Sequence, residues 1–369
     1  MAGEHERRCL AVQRDMAARG IDYLVVAPSS DLTYLSGVAG EPSERLLAFI
    51  LPPAGRPVLV LPHLEATKLA EMAPFAVREV WEDTDDPVAI VARLLDTSGK
   101  PSPVVAVGEQ MWAGALLRLQ EALPTARFVR AHPFLAEQRM IKSPAEVDLL
   151  HAAGRIADGV FVRLLSQPLA GRTEAEVADT LARLMREGGL EKVSFVIVGS
   201  GPNGAAPHHT AGNRRLVEGD IVVLDYGGTY QHYQCDITRT ITIGLPPPDV
   251  STVYELVSQA QEVAFRAVRP GVTAEEVDEA ARRHLEAAGF GAYFIHRTGH
   301  GLGLDVHEEP YIVKGNRLPL REGMVFSIEP GVYLPGKFGV RVEDIVVVTS
   351  DGAERLNNAP RDLLGVAAT

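Results

Sequence analysis

The chain has 369 residues, enough for two domains, and 46% of them are hydrophobic, as in a globular enzyme-sized protein. With 36 basic against 48 acidic residues the formal net charge is −12, and no long basic run is present, which argues against nucleic acid as the main partner. No stretch reaches about 18 uninterrupted apolar residues, so no membrane partner or membrane span is expected.

The N-terminus, MAGEHERRCLAVQRDMAARG, is charged from its fourth residue and reads as an amphipathic helix to about Arg19, not as a signal peptide. The two cysteines, Cys9 and Cys235, stand in no metal-type spacing, and a reducing, cytoplasmic setting is expected. Strands are predicted at Tyr23–Ala27, Leu46–Leu51, Val58–Leu61 and Val104–Val107. Helices are predicted from about His63 to Met72 and at Trp112–Ala122. This is an α/β outline with no glycine-rich phosphate loop. Tyr34–Gly37 and His63 are read as structural.

A boundary falls near residues 136–143, dividing the chain into domains 1–135 and 136–369. Ser143-Pro144-Ala145-Glu146 joins an N-cap serine, a proline at N1 and a glutamate at N3, a capping box that starts a helix running to about Leu165.

Beyond it the sequence repeats itself. Gly171-Arg-Thr-Glu-Ala-Glu-Val177 recurs as Gly271-Val-Thr-Ala-Glu-Glu-Val277, and both Thr173/Glu176 and Thr273/Glu276 form capping boxes. Each helix ends at a glycine, Gly189 or Gly289. Leu216-Val-Glu-Gly-Asp-Ile-Val-Val-Leu-Asp225 matches Leu320-Arg-Glu-Gly-Met-Val-Phe-Ser-Ile-Glu329, so a carboxylate ends each apolar run. A further acid follows in each copy, Asp236 and Glu343, expected on the second strand of a hairpin. In the first copy a turn is expected around Gly227, Gly228 and Thr229. A hairpin centred between Tyr230 and Gln231 sets Asp225 directly opposite Asp236. Like charges paired in this way destabilise a ladder unless they are solvated or share a cation. The period suits two halves related by a pseudo-twofold axis, not a solenoid.

His300 lies between Gly299 and Gly301, where the backbone can approach a ligand closely. With Asp225, Asp236, Glu329 and Glu343 it makes four carboxylates and one imidazole. Such an oxygen-rich set suits Mn²⁺, Co²⁺ or Fe²⁺ in a two-metal hydrolase; a structural zinc site would be rich in cysteine.

This pattern resembles the metal-dependent pita-bread peptidases: methionine aminopeptidase, aminopeptidase P and prolidase, with metal-free creatinase as a relative. The resemblance covers nearly the whole chain and is strongest from about Ile141 to Leu356. It implies an α+β architecture, in which a creatinase-like α/β N-terminal domain precedes a pseudo-twofold pita-bread catalytic domain. It implies two divalent metal ions, Mn²⁺ first and Co²⁺, Zn²⁺ or Fe²⁺ as alternatives. Asp225 and Glu329 then serve mainly one metal each, Asp236 and Glu343 bridge both, and His300 completes the second. His208 matches the family's substrate-side histidine, with His209 as its neighbour. His307 matches the histidine that contacts the scissile carbonyl. Arg341 either orients a bridging carboxylate or substrate, or is a structural partner of Glu343. His296 and Arg297 receive no role.

The activity implied is hydrolysis of Xaa-Pro bonds in small peptides with proline after the scissile bond. A metal-bridging hydroxide is the nucleophile and Glu329 the proton shuttle. No residue decides between aminopeptidase P and prolidase. Methionine aminopeptidase lacks such an N-terminal domain, and creatinase lacks the metal set. A non-peptide amide hydrolase, as in ectoine hydrolase, and a non-catalytic pita-bread binding module are the other readings. A homodimer is expected from the resemblance alone.

Overall fold

In the computed structural model, residues 3–69, 72–96 and 99–367 are described. The chain forms two compact units, dividing between Arg139 and Met140.

The first unit alternates helices and strands. In chain order these are α1 (Glu4–Arg19), β1 (Tyr23–Val26), α2 (Ser30–Ser36), β2 (Ala48–Leu51), β3 (Val58–Pro62), α3 (His63–Leu69), β4 (Val77–Trp81), α4 (Pro87–Leu95), β5 (Val104–Val107), α5 (Ala113–Ala122), β6 (Arg127–Arg130) and α6 (His132–Met140). The strands make one sheet in the order β4-β3-β2-β1-β5-β6. Every strand predicted in this unit is present within two residues. Met72 lies beyond the end of α3, and residues 70 and 71 of the predicted helix lie outside the described residues. Not foreseen were α2, β4, α4, β6 and α6. α2 is short and capped by Ser29, and α4 is capped by Asp86, whose carboxylate accepts from the Val88 and Ala89 N–H groups. β4 and β6 lack an apolar run because they are the sheet's edges and are largely exposed. Tyr34 is buried in α2, with its hydroxyl on Gln138 O at 3.3 Å, and the exposed His63 pairs with Glu82 at 2.6 Å.

The second unit contains α7 (Pro144–Leu165), α8 (Glu174–Gly188), β7 (Lys192–Ser200), β8 (Ile221–Tyr230), β9 (Tyr233–Ile243), α9 (Pro248–Ala267), α10 (Ala274–Ala287), β10 (Gly299–Gly301), β11 (Glu308–Ile312), β12 (Val325–Ile328), β13 (Gly331–Leu334), β14 (Phe338–Arg341), β15 (Asp344–Val348), β16 (Ala353–Arg355) and β17 (Leu364–Val366). The α7 capping box of Ser143 and Glu146 forms, as do both boxes of the repeat. α8 ends at Gly189 as expected, whereas α10 stops at Ala287 and Gly289 follows in the left-handed region with φ 84°.

The duplication extends to backbone hydrogen bonds. Gly171 N–H donates to Leu216 O at 2.7 Å, and Gly271 N–H to Leu320 O at 2.9 Å. Glu174 N–H reaches Arg214 O and Ala274 N–H reaches Leu318 O, both at 3.0 Å. Each half has its own core. In the first, Phe161 of α7 and Leu181 of α8 pack with Leu224 and Ile237; in the second, Val257 of α9 and Ala281 of α10 pack with Phe326 and Val346.

Two expectations about the hairpins need correction. The β8–β9 turn is centred between Gln231 and His232, which take positive φ of 46° and 71°, the geometry of a two-residue turn. Gly227 and Gly228 are not turn residues but lie inside β8, where a Cβ would meet Cys235 O or Lys192 O at 2.3 Å. Their glycines serve close approach of neighbouring strands. The register therefore pairs Asp225 with Thr238 and Gly227 with Asp236, so the two carboxylates are diagonal neighbours on one face instead of facing partners. In the second half the hairpin is interrupted. Pro330 has no N–H to extend the ladder, so β12 pairs with β15 while β13 pairs with β14, and Glu329 and Glu343 sit at the two breaks.

Candidate metal centre and active site

A cavity of about 1020 Å³ in the second unit is lined by all of His208, Asp225, Asp236, His300, His307, Glu329, Arg341 and Glu343. The structure thus brings every sequence-derived site residue to one place. His209 is not among the lining residues. Its Nε2 meets the buried Glu174 carboxylate at 2.8 Å, and it serves the loop that carries His208.

Each acid reaches the cavity by a local rule. Asp225 and Asp236 share a face of adjoining strands, and the strand breaks turn Glu329 and Glu343 inward. His300 sits in β10 between two glycines with no room for a side chain; a Cβ on Gly299 would lie 1.8 Å from Ser327 O, and one on Gly301 2.3 Å from Glu309 O. His300 Nδ1 donates to Gly301 O at 3.1 Å, which leaves Nε2 as a bare lone pair. That nitrogen faces Glu329 Oε1 at 3.3 Å and Asp236 Oδ2 at 3.7 Å. Burial first, then the neighbouring His307, pulls the His300 pKa down to about 3, so the imidazole is neutral and cannot balance the acids.

Among the described residues, only Asp225 of the four acids is ion-paired with a permanent cation, Arg341. Burial, then the charges of Glu343 and Asp225, pushes Asp236 well above the usual carboxylate range. Burial, then Glu329 and Asp225, does the same to Glu343. Glu329 is pushed up to about 7, chiefly by burial. Asp225 Oδ1, Asp236 Oδ1 and Glu343 Oε1 are buried without a hydrogen-bond partner. Orphaned buried oxygens are costly unless a cation meets them. Donor atoms of Asp236, His300 and Glu343 lie within 4.8 Å of one another, a separation one ion can span. The donor set therefore fits hard or borderline divalent cations.

The opposing charge comes from Arg341, which is 3% exposed. Its Nη2 donates to Asp225 Oδ2 at 2.5 Å, Nη1 to the Tyr333 hydroxyl at 2.7 Å and Nε to Thr238 Oγ1 at 3.0 Å. It does not bond the Glu343 side chain directly; the Thr238 hydroxyl stands between them. Tyr333 passes its proton direction on to His296 Nε2 at 2.8 Å, because His296 Nδ1 donates to Arg297 O at 2.7 Å. Burial, then the Arg341 charge, lowers His296 to about 4. His307 stacks edge-on to His300, with ring centres 4.1 Å apart, and burial followed by the Arg297 and His208 charges lowers its pKa.

His296 and Arg297, left without a role by sequence reasoning, both line the cavity, and the Arg297 guanidinium lies over the Tyr311 ring at 4.5 Å. Phe195, Ile197, Ile295 and Val306 add an apolar wall. No spacing marked those residues out. Tyr333, four residues after Glu329, carries no sequence signal of its own.

Four carboxylates and one imidazole lining one cavity of a duplicated scaffold, with a permanent cation on only one of the acids, make the donor set of a metal-dependent hydrolase. The model of metallopeptidase family M24 matches residues 148–350, and that of the creatinase/prolidase N-terminal domain matches residues 8–141. A probable dipeptidase, PepE, of Mycobacterium bovis is 48% identical over 366 residues, covering 98% of this chain and 96% of its own. A Xaa-Pro dipeptidase of Pyrococcus horikoshii is 34% identical over 352 residues, 95% of this chain and 96% of its own. The crystal structure of a recombinant prolidase from Thermococcus sibiricus superposes with a TM-score of 0.94 at 39% identity, covering 99% of this chain and 100% of that one. The chain belongs to metallopeptidase family M24 and is a metallo-exopeptidase, with a creatinase-type N-terminal domain ahead of a pita-bread domain. No described helix is long and apolar enough to cross a membrane.

Proposed function

We propose that the protein is a dinuclear Xaa-Pro dipeptidase, with Asp225, Asp236, His300, Glu329 and Glu343 holding two divalent cations, Mn²⁺ first among them. The observation that carries this reading is the set of three orphaned, buried carboxylate oxygens on residues that line one cavity with the neutral His300 imidazole. Bound there, such ions supply Lewis acidity toward a carbonyl and a nucleophilic water at neutral pH.

The protein's own groups do the rest. Glu329 lines the cavity beside His300 and is placed to take a proton from attacking water and pass it toward the leaving nitrogen. His307 is neutral near pH 7 and offers a ring N–H to the developing oxyanion, and His208 serves the leaving-group side. Arg341 holds Asp225 in place through its Nη2 hydrogen bond. The Xaa-Pro bond is a tertiary amide with a ring on its nitrogen, and the apolar wall of Phe195, Ile197, Ile295 and Val306 suits that ring or the preceding side chain. Among the described residues the Arg297 guanidinium makes no hydrogen bond or ion pair, so its charge is available to a dipeptide's free carboxylate. The names of the similar dipeptidases support this choice over an aminopeptidase. Both cysteines are free and buried, which suits a reducing compartment such as the cytoplasm, and a homodimer is the expected assembly.

The test is hydrolysis, with Mn²⁺, of Ala-Pro beside Ala-Pro-Ala, with product analysis. Cleavage of the dipeptide alone is expected. Release of Ala from the tripeptide would make the protein an aminopeptidase P. Cleavage of neither by the metal-loaded chain would remove the Xaa-Pro reading and leave a non-peptide amide or a binding role.

A further inference from the structure

Thr238, Arg239 and Thr240 are consecutive residues of β9, exposed by 0%, 1% and 1%. None is a candidate ligand, yet they grip Arg341 and Glu343, which belong to the other half of the duplication. The Glu343 N–H donates to Thr238 O at 3.1 Å, and Arg239 Nη1 donates to Glu343 O at 2.5 Å. Thr238 Oγ1 donates to Glu343 Oε2 at 2.7 Å. The Thr240 hydroxyl accepts from Arg341 N–H at 3.1 Å and donates to Arg341 O at 2.9 Å. Glu343 is therefore held at its amide, its carbonyl and one carboxylate oxygen by two adjoining residues.

The proton directions are settled by chemistry. Arg341 Nε, which can only donate, reaches Thr238 Oγ1 at 3.0 Å, so the hydroxyl's single proton is committed to Glu343. The bond is charge-assisted when that carboxylate is ionised. Its effect is orientation. The last torsion of a glutamate side chain is broad, so backbone anchors alone would let the carboxylate plane swing. Oε2 carries this one hydrogen bond and Oε1 none, so the plane is fixed while both oxygens keep a lone pair for cations. Arg239 cannot release its share, because all five of its N–H groups are used. They go to Pro360 O, Thr238 O, Glu343 O, Asp344 Oδ1 and Ala359 O. A shift of Glu343 would leave a buried donor unpaired.

We propose that Thr238 is a positioning residue for Glu343. Its hydroxyl sets the carboxylate plane for cation binding, while Arg239 and Thr240 fix the backbone around it. The assignment rests on the reading of Glu343 as a metal ligand. The side chain of Thr238 touches no substrate in this role; it acts through the carboxylate.

The experiment compares the full-length wild type with Thr238→Val, which keeps the shape and loses the hydroxyl, and Thr238→Ser, which keeps the hydroxyl. Mn²⁺ affinity and stoichiometry are read by competition with a chelating dye, alongside kcat and KM for Ala-Pro and the thermal midpoint. Thr238→Val is expected to bind Mn²⁺ about 10- to 100-fold more weakly, with kcat falling more than KM rises, and Thr238→Ser to restore binding to within a few-fold. Thr238→Ala carries the same expectation if the valine leaves too little folded protein. A valine variant that loads Mn²⁺ as tightly as wild type overturns the assignment, as does a serine variant no better than valine. A wild type that takes up no Mn²⁺ overturns both the assignment and the metal reading beneath it.

Discussion

Glu174, the first residue of α8, is fully buried, and its carboxylate gathers the loop that carries His208. It accepts from Ser200 N–H at 2.8 Å, Ser200 Oγ at 2.6 Å, Asn203 Nδ2 at 3.0 Å and Gly212 N–H at 3.2 Å, and meets His209 Nε2 at 2.8 Å. Glu174→Ala strands these donors. Each unpaired buried group costs about 1–3 kcal/mol, and those near the surface recover a water, so the net loss is expected at about 3–5 kcal/mol, as for a broken buried pair. Burial alone would raise the Glu174 pKa, but the bonds from Ser200, His209 and Asn203 hold it down at about 2, against an ordinary value of 4.5. The unfolded chain therefore takes up a proton before the folded one does. This stabilisation, about 3 kcal/mol in all, is complete above about pH 5 and is lost as pH falls toward 2. Urea unfolding followed by circular dichroism, repeated from pH 7 to pH 3, measures both effects. The gap between wild type and Glu174→Ala should be widest at neutral pH and narrow below pH 5. A loss under about 1 kcal/mol at pH 7, or a gap independent of pH, would refute the reasoning.

Asp236→Asn is expected to abolish Ala-Pro turnover and lower bound Mn²⁺ while leaving the circular dichroism spectrum intact; wild-type activity in that variant would break the site assignment. His307→Ala should keep its metal and lose about 10²- to 10⁴-fold in kcat, so an unchanged kcat would remove His307 from the chemistry. Lys142 Nζ meets Glu308 Oε1 at 2.7 Å with the two side chains 1% and 9% exposed. Lys142→Met removes this cation from beside the buried carboxylate and is expected to cost about 3–5 kcal/mol, with a further Glu308→Gln recovering part of it. Thermal unfolding of the two variants checks the order, and a double variant less stable than the single would contradict it.

The candidate site was more legible in the sequence than the architecture around it. Capping boxes are local, so Ser143, Thr173 and Thr273 start their helices where their spacing says. The repeat could be read because acids recur at the ends of matched apolar runs. Register was not legible. Gly227 and Gly228 look like turn residues, yet their role is set by Cys235 O and Lys192 O on neighbouring strands, contacts that no local pattern encodes. The same holds for Arg239, whose five acceptors come from the residue before it, from 343–344 and from 359–360. A charged residue in a run of strand-formers reads as solvent-facing, but here it is among the largest fully buried side chains. α2 and β4 escaped for simpler reasons: α2 buries Leu32, Tyr34 and Leu35 but is only seven residues long, and β4 is largely exposed, so neither leaves a periodic signal.

Dependence of Ala-Pro hydrolysis on metal content tests the central claim most directly. The chain is dialysed against a chelator until no divalent metal remains, then titrated with Mn²⁺ while rate and bound metal are followed together. Activity should vanish in the stripped protein and return with added Mn²⁺, levelling off near two ions per chain. Full activity in the metal-free chain, or full loading with no hydrolysis of any Xaa-Pro peptide, would contradict it.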